Sequence, residues 1–163
     1  MRITPVMVYD AAIRIDAALK RHSIIGPILR EKKRFGCVVV FTDDAGDIVI
    51  QAVIGEKPDD CLGKHAFARE KIGRLMLMKH RHGHVLSRQS QDEHADPPQY
   101  AGAVMINEWG SSISGYPSLV DELFAVALLC QLGLITVEEA LTVFRSFPNR
   151  YLDENRTEDL ALL

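Results

Sequence analysis

The chain has 163 residues, 47% hydrophobic and 25% charged, with a formal net charge of −3 at pH 7. That length and composition suit one globular domain with a sizeable core and exclude a chain disordered throughout. The charge excludes a general electrostatic pull toward nucleic acid or acidic membranes, and no apolar run approaches the length of a membrane span.

The opening MRITPVMVYD lacks the basic-then-apolar order of a secretory signal, so a cytoplasmic protein is expected. Thr4 is placed to cap a first helix with Pro5 at its first position, and Val8, Ala12, Ile15 and Leu19 form one apolar stripe. Gly26 and Pro27 interrupt that pattern, which predicts a second short helix over 27–34. Its end, REKKR at 30–34, reads as a solvated helix terminus whose cations complement the last carbonyls. With no repeat and no linker, the chain divides into N-terminal helices over 1–34, a core over 35–147 and a tail over 148–163, all within one domain.

Residues 35–54, FGCVVVFTDDAGDIVIQAVI, are two β-branched runs around a turn rich in aspartate, with Gly46 able to take a positive φ. Asp43, Asp44 and Asp47 lack the ligand spacing and closing glutamate of an EF-hand, which leaves turn chemistry as their role. Asp59 or Asp60 then caps a helix running to about Lys79, with Cys61, His65, Ala68, Ile72 and Leu75 on one face. His65 on that stripe is either a ligand for a bound ring system or a partly buried histidine satisfied by backbone. Lys71 falls between the buried and exposed faces, where it can meet an anionic ligand while its stem stays packed.

His80, His82 and His84 would share one side if extended, and imidazole suits zinc, copper, nickel or iron. The competing reading is a flexible histidine-rich loop reaching Tyr100, stiffened by Pro97 and Pro98. Cys37, Cys61 and Cys130 are odd in number and widely spaced, giving neither a disulfide framework nor a zinc knuckle. Cys37 and Cys130 read as small core residues, and Cys61 near a helix start is the one candidate for a lowered thiol pKa.

Short strands over 102–106 and 111–114 predict a second hairpin turning through Asn107, Glu108, Trp109 and Gly110. Ser118 and Asp121 have capping-box spacing at the start of an apolar helix that Gly133 ends. Thr136 and Glu139 start a last helix by the same device, Pro148 stops it, and a charged peripheral tail follows. Within 101–133 a strand thus enters a helix through Gly/Ser-rich chain, so backbone N–H groups near Ser114, Gly115 and Ser118 can receive an acid group. The chain carries no GxGxxG, GxxxxGK[ST], GxSxG or HExxH, and a Ser111, His65 and Asp121 arrangement has no sequence support beyond residue type.

Three segments, VVVFTDDAGDIVIQAVI, AREKIGRLML and GSSISGYPSLVDELFAVAL, together resemble the GlcG/HbpS-like family over about 37–132. The turn at 41–46 matches that family's V-V-D-x-x-G, Ala68 and Lys71 its A-x-x-K, and 112–115 with Asp121 its I-G-V-S-G and acidic helix start. The resemblance implies an α+β fold, a profilin-like antiparallel sheet flanked by helices, in an oligomeric small-ligand module. Binding of haem or a related tetrapyrrole is known among relatives, so the resemblance offers haem as a candidate cofactor and leaves its identity open.

Three functions are therefore weighed. The first is a small-ligand-binding or sensor protein whose pocket uses Lys71 and the chain from Ser114 to Ser118, with His65 or His80 as candidate iron ligand. The second is a metal-dependent enzyme using His80, His82 and His84. The third is a non-catalytic subunit whose Leu/Phe-rich C-terminal helices bury a homo-oligomer interface.

Overall fold

The computed structural model describes residues 2–163. Its order is α1 (Pro5–Arg21), α2 (Ile25–Glu31), β1 (Gly36–Thr42), β2 (Ile48–Gly55), α3 (Cys61–His82), β3 (Ala103–Ile106), β4 (Trp109–Ser114), α4 (Ser118–Gln131), α5 (Val137–Ser146) and α6 (Thr157–Leu160), with a 3-10 turn at Ser87–Ser90. The four strands form one antiparallel sheet in the order β2-β1-β4-β3. This is the expected α+β class, a single antiparallel sheet flanked by helices.

Strand β1 is buried at every position because it is central and covered on both faces. The period-2 pleat sends Cys37, Val39 and Phe41 toward α1, α2, α4 and α5, and Val38 and Val40 toward Ala68, Ile72 and Leu75 of α3. Helix α4 is buried from Val120 through Leu129, so its sequence is apolar on nearly all sides rather than on one stripe. It has no apolar face to spare, so α4 cannot supply the oligomer interface expected of the C-terminal helices.

Local signals place most ends. Thr4 Oγ1 accepts from Met7 N at 3.3 Å, Asp60 Oδ1 from Gly63 N at 3.0 Å, and Thr136 with Glu139 makes a full capping box. Four expectations are corrected. Helix α2 starts at Ile25 rather than Pro27, because His22 Nδ1 accepts from Ile24 N and Ile25 N, both at 3.2 Å. Helix α3 runs on to His82 and stops where Gly83 turns left-handed, with φ 69°. The second hairpin turns on two residues, Asn107 and Glu108, with φ 49° and 69°, so Trp109 begins β4 instead of lying in the turn.

The tail is the fourth correction, because it is part of the core. Tyr151 and Leu162 are buried with the main cluster, and Asp159 is fully buried against His22, 2.8 Å from its Nε2. Since Nδ1 of His22 accepts two backbone N–H groups, Nε2 carries the proton and donates it to Asp159. A charged tail docks here because its charges are met: Arg156 Nε donates to the second Asp159 oxygen at 2.8 Å.

Candidate functional site

Lys71, Ser114 and Ser118 line one cavity of about 270 Å³ with Arg34, Lys64, Phe67, Tyr100, Tyr116, Pro117 and Asp121. Gly115 lines an adjoining basin of about 310 Å³, and Arg34 and Lys64 border both. Four of the five residues proposed from the central helix and the Gly/Ser-rich segment, all but His65, therefore meet at one end of the sheet. Helix α3 carries Lys71 across one sheet face, and the β4–α4 connection brings the serines to it.

Lys71 is only 2% exposed, and its ammonium donates to Ile113 O at 2.7 Å and to Asp121 Oδ2 at 3.2 Å. Burial lowers its pKa, working against the Asp121 charge that raises it. Burial likewise raises that of Asp121, against the pull of Lys71 and of the N–H groups it accepts. Both groups are thus pushed toward neutrality by desolvation and held charged by each other. Tyr116 N donates to the other Asp121 oxygen at 2.9 Å, so Asp121 ties the β4–α4 connection to the lysine. The expected capping box is absent: the cap residue is Pro117, and the carboxylate serves Tyr116 and Lys71 instead.

One glycine makes room for this pair, and a second lets the β4–α4 connection lie against β1. Gly102 has φ 122°, and a Cβ there would lie 2.7 Å from Lys71 Nζ and 2.8 Å from Asp121 Cβ. At Gly115 a Cβ would meet Cys37 Cα at 2.6 Å. Beyond them, Tyr116 OH donates to Asp16, which also holds Lys20 at 2.7 Å. Burial and then the charges of Asp121 and Asp16 push the Cys37 thiol well above its ordinary range, so it is packing and not a nucleophile.

The cavity rim is cationic. Arg34 and Lys64 form no ion pair among the described residues, whereas Lys71 is neutralised by Asp121. At the start of α4 the Val120 and Asp121 N–H groups bond back to Pro117 O, which leaves those of Ser118 and Leu119 without intrahelical acceptors. One neutralised amine, two free cations and a helix start around a single cavity suit the acid end of a small molecule.

The other candidate residues lie elsewhere. His65 turns toward β2, where its Nδ1 meets Gln51 Nε2 while Arg69 Nε donates to Gln51 Oε1 at 2.5 Å. His80 and His82 belong to the last turn of α3, and a helix places residues two apart on opposite sides. His82 and His84 rings lie 5.6 Å apart, but no group of three or more His, Cys, Asp or Glu able to hold a metal occurs among the described residues. Ser111 is buried in the sheet opposite Phe41, so it joins neither His65 nor Asp121. Burial and then Glu139 push Cys130 up to about 12.

Arg34, Lys64, Tyr116 and Gly102 were not singled out from sequence. Arg34 was hidden inside the basic run and Asp121 inside a capping motif, each with a sufficient local explanation. The sequence pattern sets Lys71 between two helix faces and Asp121 at a helix start, and only the fold shows that they are buried and meet.

No family model matches the chain, and no curated protein or solved structure matches it either.

Proposed function

We propose that this protein is a small-ligand-binding module of the GlcG/HbpS-like, profilin-like type, and that its basin takes a small molecule bearing an acid group. The observation that carries this reading is the meeting of Lys71, Ser114 and Ser118 with free Arg34 and Lys64 around one cavity. The motif order along 37–132 and a sheet covered by helices on both faces agree with it. A cytoplasmic, homo-oligomeric protein without nucleic-acid or membrane partners completes the reading. In its support stand the net charge of −3, the three free cysteines, and the lack among the described residues of any helix long and apolar enough to cross a membrane.

Haem does not fit the basin. Beside Phe67, Tyr100 and Tyr116 its lining is strongly charged, with Arg34, Lys64, Lys71 and Asp121, and it holds no histidine, cysteine or methionine to serve as an axial ligand for a porphyrin. His65 is engaged by Gln51 away from the cavity, and His80 borders a separate depression with Met76 and Met105.

Titration of the labelled protein with lactate, a small hydroxy acid, tests the reading by nuclear magnetic resonance. Saturable amide shifts are expected at Ser114, Gly115, Ser118 and Leu119, lost in the Arg34→Ala/Lys64→Ala double variant. Shifts scattered over the surface, or unchanged in that variant, would sink the assignment. Light scattering of the purified chain checks the homo-oligomer, and a monomer would remove that part of the reading.

A further inference from the structure

We infer that Lys71 captures a 2-oxo acid covalently, as a Schiff base formed inside the basin with Asp121 as its proton partner. The inference rests on the basin reading above and adds chemistry to it. Three features of the geometry carry it. Lys71 is withdrawn from bulk water yet is one of the residues lining a cavity of about 270 Å³. Its two acceptors, Ile113 O at 2.7 Å and Asp121 Oδ2 at 3.2 Å, leave the third tetrahedral position of the nitrogen without a partner among the described residues. Arg34 and Lys64 stand on the same wall with charge to spare for a carboxylate.

The chemistry follows from a proton shared by the pair. Transfer of one proton from Nζ to Asp121 gives a free amine beside a neutral carboxyl group, and burial favours both neutral forms. Lys64 lowers the lysine further through its own charge. Rotation about the Cε–Nζ bond then presents the lone pair at the open position. The amine attacks the ketone carbon, a carbon–nitrogen bond forms, and the carbonyl π pair moves to oxygen. A proton passes from nitrogen to that oxygen, giving a carbinolamine. The Asp121 carboxyl protonates the hydroxyl, which leaves as water, and an iminium cation remains against the Asp121 carboxylate. One water is released and nothing is oxidised or reduced. The charge pattern of the Lys71–Asp121 pair at the end is that of the original ion pair, and the one charge added, the carboxylate of the 2-oxo acid, faces Arg34 and Lys64.

The test incubates the full chain with pyruvate and cyanoborohydride at pH 7 and maps the reduced adduct by peptide mass spectrometry. Lactate, which has no ketone, is the matched non-covalent probe. The adduct is expected on Lys71 in clear excess over the exposed Lys32, since burial lowers the Lys71 pKa and so raises its free-amine fraction. Lys71→Arg is expected to abolish trapping, and Arg34→Ala/Lys64→Ala to reduce it about tenfold while the circular dichroism spectrum is unchanged. The wild-type map carries the result should Lys71→Arg not fold. An adduct confined to surface lysines, with lactate still shifting the basin amides, overturns the capture and leaves the binding site standing. Loss of response to both lactate and pyruvate overturns both.

Discussion

Asp121 and Glu122 are neighbours on α4, both buried carboxylates, and they have opposite surroundings. Asp121 opens onto a cavity and pairs with Lys71 from across the sheet. Glu122 closes an interior staple: Arg88 reaches it at 3.0 Å while also donating to Phe147 O and Pro148 O, and Asn149 Nδ2 donates to it at 3.3 Å. The staple fastens the 3-10 turn and the tail to α4 and borders none of the cavity that Asp121 faces, although its own Glu122 Oε2 and Arg88 Nε stay buried without partners. The basin pair leaves a nitrogen position and two cations unspent. Buried charge is thus structural at one residue and available for chemistry at the next, because α4 turns each side chain by about 100° from the last.

The comparison breaks most sharply at Asp121. Asp121→Ala leaves Lys71 buried without its counter-ion and Tyr116 N without its acceptor, and is expected to cost about 3–5 kcal/mol in urea unfolding. Adding Lys71→Met is expected to restore most of that loss, since an apolar pair of similar volume replaces the ions. A double variant as unstable as Asp121→Ala alone would show that the carboxylate acts mainly through Tyr116.

Glu122 should respond in the opposite sense. Burial pushes it up to about 7 despite Arg88 and Asn149. A carboxyl whose folded pKa is raised contributes stability that is present below its ordinary value near 4.5 and lost as pH rises through about 7. Glu122→Gln is therefore expected to flatten stability between those two values and to gain up to about 3 kcal/mol above pH 8, with little effect at pH 4. Thermal melts at pH 4, 6 and 8 check this, and destabilisation at pH 8 would show that the Arg88 ion pair outweighs desolvation.

The rim should separate binding from stability altogether. Arg34→Ala and Lys64→Ala remove unpaired cations, so each is expected to change unfolding free energy by less than about 0.5 kcal/mol. Each should nevertheless weaken lactate binding several-fold. Equal losses of stability and binding would mean that these residues hold the basin's shape instead of its ligand.

Most of the architecture was legible in the sequence where a local rule decides it. Both hairpins, the Thr4, Asp60 and Thr136 caps and the apolar stripe of α1 follow from turn chemistry, cap geometry and helical period. The failures have a common physical form. His22 caps α2 through a side chain, the tail is held by His22 and Arg88, and Asp121 leaves its helix start for Lys71. In the last two a long-range contact overrode a sufficient local explanation, and in the first a side chain two and three positions upstream did. The three histidines near 80–84 failed because α3 ran one turn further than its periodicity suggested, and a helix separates what a strand would align.

By itself the sequence determined the elements, their order and the residue types that a ligand site would use, because these depend on neighbours within a few positions. Only the tertiary structure decided that Lys71, Asp121, Arg34 and Lys64 share one cavity while His65 does not. Strand order and helix rotation set which distant side chains meet, and the burial they create turns a lysine and an aspartate fifty positions apart into a coupled pair.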